Sequence, residues 1–203
     1  MGRIVFGTGS GRCGTVSLAV LLDTQDRAMV SHETLGPTLT VEDPNGEAQA
    51  LLDAYQAQLA GEDVQVVGDV MGTWIWHAED LILADERVRF VCLKRNREET
   101  VRSFLAKKPD SNRWQRSEWD GDPWGLTSPW YDDDLTKEAA VRAYWEDVYS
   151  TAARLEHDYP GRFRVFPIQA LNSNSGVRAI LRFVGFPSPR IETGIHLNRG
   201  HVD

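Results

Sequence analysis

The sequence predicts an α/β fold built on a mostly parallel central sheet with helices on both faces. Three observations predict it. Five short apolar runs recur along the 203 residues, with helix-like stretches between them. Runs such as "FVCL" (90–93) are apolar on consecutive residues, as central strands covered on both faces are. The first run passes through a glycine-rich elbow into a helix-like run, and such an elbow gathers backbone N–H groups and a helix N-terminus at one point.

The elements follow in order. "RIVFG" (3–7) is the first strand, and a helix over 14–22 comes after the elbow. "AMVSH" (28–32) is the second strand, and a helix follows at roughly 47–60. "VQVVGDV" (64–70), a helix over 74–84, "VRFVCL" (88–93) and a helix over 97–105 continue the alternation. Residues 109–135 break it, with Trp114, Trp119, Trp124 and Trp130 set among prolines and glycines. So long a connection is ordinarily functional or disordered, and four tryptophans argue against disorder. Val141, Tyr144, Trp145, Val148, Ala152 and Leu155 then recur at helical spacing, and "DDD" at 132–134 complements the dipole of that long helix. "RFRVFPI" (162–168) is the last strand. A final helix over 175–184 takes Ser175 as N-cap and Gly185 just past its end. With no internal repeat, the reading is one domain over 1–203, interrupted by the irregular segment at about 109–135.

Composition narrows the function classes. Hydrophobic residues are 41% and charged residues 26%, and no apolar run is long enough to span a bilayer. The N-terminus, interrupted by glycines and Arg12, does not read as a secretory signal. Two cysteines are too few for a disulfide framework, so the expected compartment is the cytoplasm. A net charge of −8 disfavours nucleic acid, yet "KRNREETVR" gathers Lys94, Arg95, Arg97 and Arg102. One basic cluster on an acidic protein suits a small anionic ligand.

The elbow admits three readings. Gly9 and Gly14 have the spacing of a Walker-type loop, but Thr15 stands where that loop needs lysine, which sets this reading aside. "GSGRCG" matches the G-x-G-x-x-G of a dinucleotide fold, and Glu33, 24 residues after Gly9, stands where a ribose-binding acid belongs. That reading is an NAD(P)-dependent oxidoreductase, and it gives Arg12 no role. In the third reading Arg12 is a cation inside a phosphate cradle, placed to follow charge onto a leaving phosphate oxygen.

The third reading brings a resemblance. Arg12, Cys13, Gly14 and Thr15 resemble the 5′-phosphosulfate loop of sulfotransferases: a basic residue, a small residue, glycine, then Thr or Ser. Many members carry lysine at the Arg12 position and some bacterial-type members arginine. In "VCLKRNREETVRSF", Arg95 and Ser103 stand eight apart on a strand end and the next helix, the interval at which the family holds a 3′-phosphate. "IQALNSNSGVRAILRFVGFP" is similar to the family's late strand, loop and helix. About half the chain, the tryptophan segment included, has no counterpart. The resemblance implies a three-layer, P-loop-NTPase-like architecture. It also implies transfer of a sulfuryl group from 3′-phosphoadenosine 5′-phosphosulfate to an acceptor hydroxyl or amine, with no metal. Gly9, Gly11, Arg12, Cys13, Gly14 and Thr15 then hold the 5′ end of that co-substrate, and Arg95 and Ser103 its 3′-phosphate.

The base has three candidates. Glu33 follows the second strand, where some branches of the family use a glutamate. His32 is adjacent and belongs to a residue type that titrates near neutrality. In a strand the two point to opposite faces, so only one faces the donor. Asp69, after the third strand, is the third candidate; His77 is placed on a helix. Thr15 contacts phosphate or caps its helix, and Cys13 is a small buried residue. The tryptophans line an acceptor pocket, cover it as a lid, or form a cluster pinning the loop. "HLNRGHVD" at the C-terminus closes over the donor or frays. A nucleotide-binding module without a base is the non-enzymatic alternative. A small molecule, lipid or carbohydrate is the acceptor class; its identity and the oligomeric state are open.

Overall fold

The computed structural model describes residues 2–61, 63–107, 113–114, 123–132, 134–186 and 188–191. Strands and helices alternate as β1 (Arg3–Gly9), α1 (Thr15–Asp23), β2 (Ala28–His32), α2 (Glu47–Leu59), β3 (Val66–Val70), α3 (Trp74–Ala84), β4 (Val88–Lys94) and α4 (Arg97–Lys107). After the tryptophan-rich segment come α5 (Lys137–Asp158), β5 (Phe163–Pro167) and α6 (Asn174–Val184). The strands form one sheet in the order β2-β3-β1-β4-β5, and every neighbouring pair is parallel. This is an α/β fold of the kind the alternation predicts.

The period of two along β1 builds both cores. Ile4 and Phe6 point into the layer formed by α2, α3 and α5, whereas Val5 points into the layer of α1 and α6. Phe6, Phe90 and Phe163 sit opposite one another across β1, β4 and β5. Their rings stack at 5.3 and 5.7 Å. Offset-stacked aromatic pairs of this kind are each worth about 0.5–1.5 kcal/mol. Because β1 continues toward β2 and β4 toward β5, the crevice between the C-terminal ends of β1 and β4 is the switch point at which open α/β sheets bind ligands.

One helix start differs from expectation, and a second is set by a cap that the sequence reading did not name. The cap of α6 is Ser173, whose hydroxyl accepts from the Gly176 amide at 3.1 Å; Ser175 lies inside the helix. Gly185 ends that helix in the left-handed region, φ 112°, as its position predicts. Thr136 caps α5, and Glu138 is the acid of its first turn, so Asp132 and Asp134 precede the first turn and Asp133 falls outside the described residues. In both cases the side chain that reaches an amide three residues on sets the boundary. Replacing Ser173 with alanine is expected to cost about 1 kcal/mol and Ser175 with alanine a few tenths at most, read by urea denaturation. Equal costs would return the cap to Ser175.

Candidate functional site

Residues 10–14 turn the chain from β1 into α1 at the switch point. Gly11, Arg12 and Gly14 adopt left-handed φ values of 72, 53 and 92°. For Arg12 this is a strained conformation, of the sort that collects at ligand sites. Gly9 is required by close approach: a Cβ there would lie 2.5 Å from Cys13 Sγ and 2.6 Å from the Leu93 carbonyl oxygen. Gly14 takes the N-cap position of α1 and no side chain caps that helix, so its first amides face the elbow. Thr15 is therefore the first helical residue and not a cap.

The elbow is held from below by a tyrosine. Tyr149 of α5 donates its hydroxyl to the Leu93 carbonyl at 2.8 Å, accepts from the Ser10 amide at 3.4 Å and lies 3.2 Å from Ser10 Oγ. Thr8 donates to the Gly72 carbonyl at 2.9 Å, tying β1 to the turn after β3. Sequence reasoning missed Tyr149, although its place four residues after Trp145 puts it on the same helical stripe.

Three predicted residues meet here. Arg12 Nε donates to Ser103 Oγ at 3.0 Å across 91 residues of chain, and Arg95 Nη1 donates to the Arg12 carbonyl at 3.0 Å across 83. Arg95 also pairs with Glu99 at 3.0 Å. Two further members of the basic cluster, Arg97 and Lys94, are engaged elsewhere. Arg97 pairs with Glu98 and Glu146, and Lys94 Nζ lies 5.0 and 5.1 Å from the ring centroids of Trp145 and Tyr149. Lys94, Arg95, Asn96, Arg97, Trp145, Val165 and Pro167 line an open groove of about 430 Å³ beside this cluster.

On the other side of the elbow, across β3, His32 Nε2 lies 3.2 Å from Thr15 Oγ1 and His32 Nδ1 lies 3.8 Å from Glu33 Oε2. The expectation that His32 and Glu33 point to opposite faces is corrected. β2 ends at His32, and Glu33 turns left-handed at φ 56° with its amide on the Val70 carbonyl, so strand alternation no longer applies. Asp69 is corrected as a base. It is fully buried, and Ser31 Oγ, the Thr34 amide, Thr34 Oγ1 and Trp74 Nε1 all donate to it at 2.8–3.0 Å. His77 is likewise structural, 2.8 Å from the Thr40 carbonyl.

The tryptophan segment contributes packing. Trp114 is 1% exposed, edge-on to Phe104 at 5.0 Å and 5.7 Å from Tyr144, so at this residue the pinning reading holds. Trp130 is half-buried; Trp119, the Trp124 side chain and "HLNRGHVD" fall outside the described residues. The segment also carries Arg113, a cation that sequence reasoning passed over. Its guanidinium lies 4.9 Å from the Trp114 ring and donates to Ser128 Oγ at 3.3 Å. Among the described residues no group of three or more His, Cys, Asp or Glu is placed to hold a metal ion, and no helix is long and apolar enough to cross a membrane.

No family model matches the chain, and no curated protein matches it by sequence. Its fold matches solved structures. A sulfotransferase domain from the curacin biosynthetic pathway superposes with a TM-score of 0.62 at 14% identity, over 93% of this chain and 75% of that one. A sulfotransferase from Alicyclobacillus acidocaldarius gives 0.61 at 16% identity, over 98% of this chain and 86% of that one. The chain has a sulfotransferase-like fold.

Cys13, despite its place beside a helix N-terminus, is not an activated thiol. Burial pushes it up to about 11, against some lowering by hydrogen bonds from the Gly11 backbone and Tyr149. The native protein is expected to leave DTNB unreacted at pH 8 until denaturant is added. An unfolded thiol ionises near 9.0, so between pH 9 and about 11 the unfolded chain binds fewer protons and stability falls as pH rises. Cys13→Ser should flatten that part of the slope, measured as urea midpoints against pH.

Proposed function

We propose that this protein is a sulfotransferase that uses 3′-phosphoadenosine 5′-phosphosulfate and an acceptor hydroxyl or amine. One observation carries the reading: Ser103 and Arg95, 91 and 83 residues from Arg12, join it at one glycine elbow at the sheet's switch point. The elbow fits a phosphate, because a Cβ at Gly9 would collide with its surroundings and one at Gly11 would stand 3.2 Å from Phe104. Uncapped amides at the start of α1 and the Arg12 guanidinium supply the positive end. Arg95 and Ser103 form a second anion contact on the β4 side, which suits a nucleotide bearing two separated phosphates. The groove beside Arg95 has the size of a small-molecule site and takes the nucleoside portion.

When bound, the donor supplies the S–O bond that breaks while the acceptor oxygen or nitrogen bonds to sulfur and gives up its proton. Arg12 offsets the charge that develops on the departing phosphate oxygen. Glu33, beside His32 and across from the elbow, accepts the proton, and His32 is held by Thr15 at the helix start. Similar folds in two named sulfotransferases support the reading. A nicotinamide dinucleotide would leave the Arg12–Ser103–Arg95 cluster without a task. The two buried free thiols, Cys13 and Cys92, fit a cytoplasmic setting. A small molecule, lipid or carbohydrate supplies the acceptor group.

The test separates binding from turnover. Arg95→Ala should weaken adenosine 3′,5′-bisphosphate at least tenfold, about 1.4 kcal/mol, by calorimetry; affinity within about twofold of wild type ends the 3′-phosphate assignment. A thermal shift with NADH or NADPH and none with the bisphosphate would return the elbow to a dinucleotide. Glu33→Gln should keep bisphosphate binding and lower turnover about 10²–10⁴-fold. Undiminished turnover in that variant moves the base to His32.

A further inference from the structure

A buried carboxylate that the proposed chemistry does not use lies directly beneath the Glu33–His32 pair. Asp69 is 0% exposed, and its hydrogen-bond partners Ser31, Thr34 and Trp74 are all neutral. A carboxylate in such a place is costly to desolvate, and an apolar residue would pack there at lower cost. What Asp69 grips explains its presence. Oδ1 takes the Ser31 hydroxyl at 2.9 Å, the Thr34 amide at 3.0 Å and the Thr34 hydroxyl at 2.8 Å. The residues held are 31 and 34, and the two between them are His32 and Glu33. Oδ2 takes the Trp74 indole at 2.8 Å, and Trp74, fully buried against Phe6 at 4.7 Å, anchors the carboxylate to the centre of the sheet.

We propose that Asp69 is a positioning residue: by clamping both ends of the 31–34 turn it holds Glu33 in the left-handed conformation that sets its carboxylate beside His32 and the phosphate elbow. This rests on the function proposed above. A left-handed φ of 56° is unfavourable for a residue with a Cβ and persists only where its surroundings impose it. Here the Glu33 amide is tied to the Val70 carbonyl at 3.2 Å and the next amide to Asp69 at 3.0 Å, so both flanks of the strained residue are fixed to β3. The chain of contacts then runs through Glu33 and His32 (3.8 Å) to Thr15 (3.2 Å), the first residue of the helix behind the elbow. Asp69 touches neither donor nor acceptor. Asparagine at this position keeps the size but turns an N–H₂ group toward donors that need an acceptor.

The experiment pairs Asp69→Asn with Glu33→Gln in a double-mutant cycle, with Thr34→Val as a milder variant that keeps the backbone bond to Asp69. Asp69→Asn should bind adenosine 3′,5′-bisphosphate within about twofold of wild type, keep KM for the donor, and lose at least about tenfold in kcat, with Thr34→Val intermediate. In the Glu33→Gln background it should cost nothing further, because both changes act through one carboxylate. A merely structural role would lower Tm, leave kcat unchanged well below Tm, and give additive effects; that result overturns the proposal. NMR judges the same point without turnover. The strong intraresidue amide–Hα NOE of a positive φ at Glu33 should be present in wild type and lost in Asp69→Asn. Its persistence in that variant also overturns the proposal. Wild-type protein that binds no bisphosphate refutes the function alone, and the NOE still decides the clamp.

Discussion

The parallel register of β1 against β4 is the constraint on which the site depends. It sets Gly9 opposite Leu93, so the glycine elbow and the turn that carries Arg95 leave the sheet side by side. The approach is so close that a side chain at Gly9 would meet the Leu93 carbonyl. Given that closeness, Arg95 reaches the Arg12 carbonyl and Arg12 reaches Ser103 two turns into α4. A shift of one residue in this register would turn each alternate side chain of β1 to the wrong core and separate the elbow from Arg95.

Around that contact the fold spends polar and aromatic groups on stiffness. Tyr149 joins the elbow to the end of β4, Trp145 donates to the Arg95 carbonyl at 3.2 Å, and Phe104 packs beneath Gly11 and against Trp114. Helix α5 thus supports the basic side of the site from behind while its other residues fill the core. The tryptophan-rich segment, where described, joins this support through Trp114 and Arg113.

The opposite side is built differently. β2 is the edge strand, and its last residues are set by side-chain bonds to β3 instead of by packing on both faces. Strain is placed within the elbow at Arg12 and beside it at Glu33, the two non-glycine residues there with left-handed backbones. Backbones held against their preference fix where these charged side chains stand, which is what the proposed transfer chemistry requires for stabilising a short-lived charge.

The sequence by itself determined the α/β alternation, all five strands and the elbow, while the link from Arg12 to a second basic motif came as what the resemblance to sulfotransferases implies. Those signals are local: hydrophobic period, glycine spacing and a fixed interval along one strand and helix. Only the tertiary structure decided that Arg12, Ser103 and Arg95 touch, that Asp69 is saturated by donors and so is no base, and that His32 and Glu33 lie together. Each of these depends on which strands become neighbours. β2 pairs with β3 and β1 with β4, and those contacts, remote in sequence, impose the left-handed turn at Glu33 that strand alternation could not foresee.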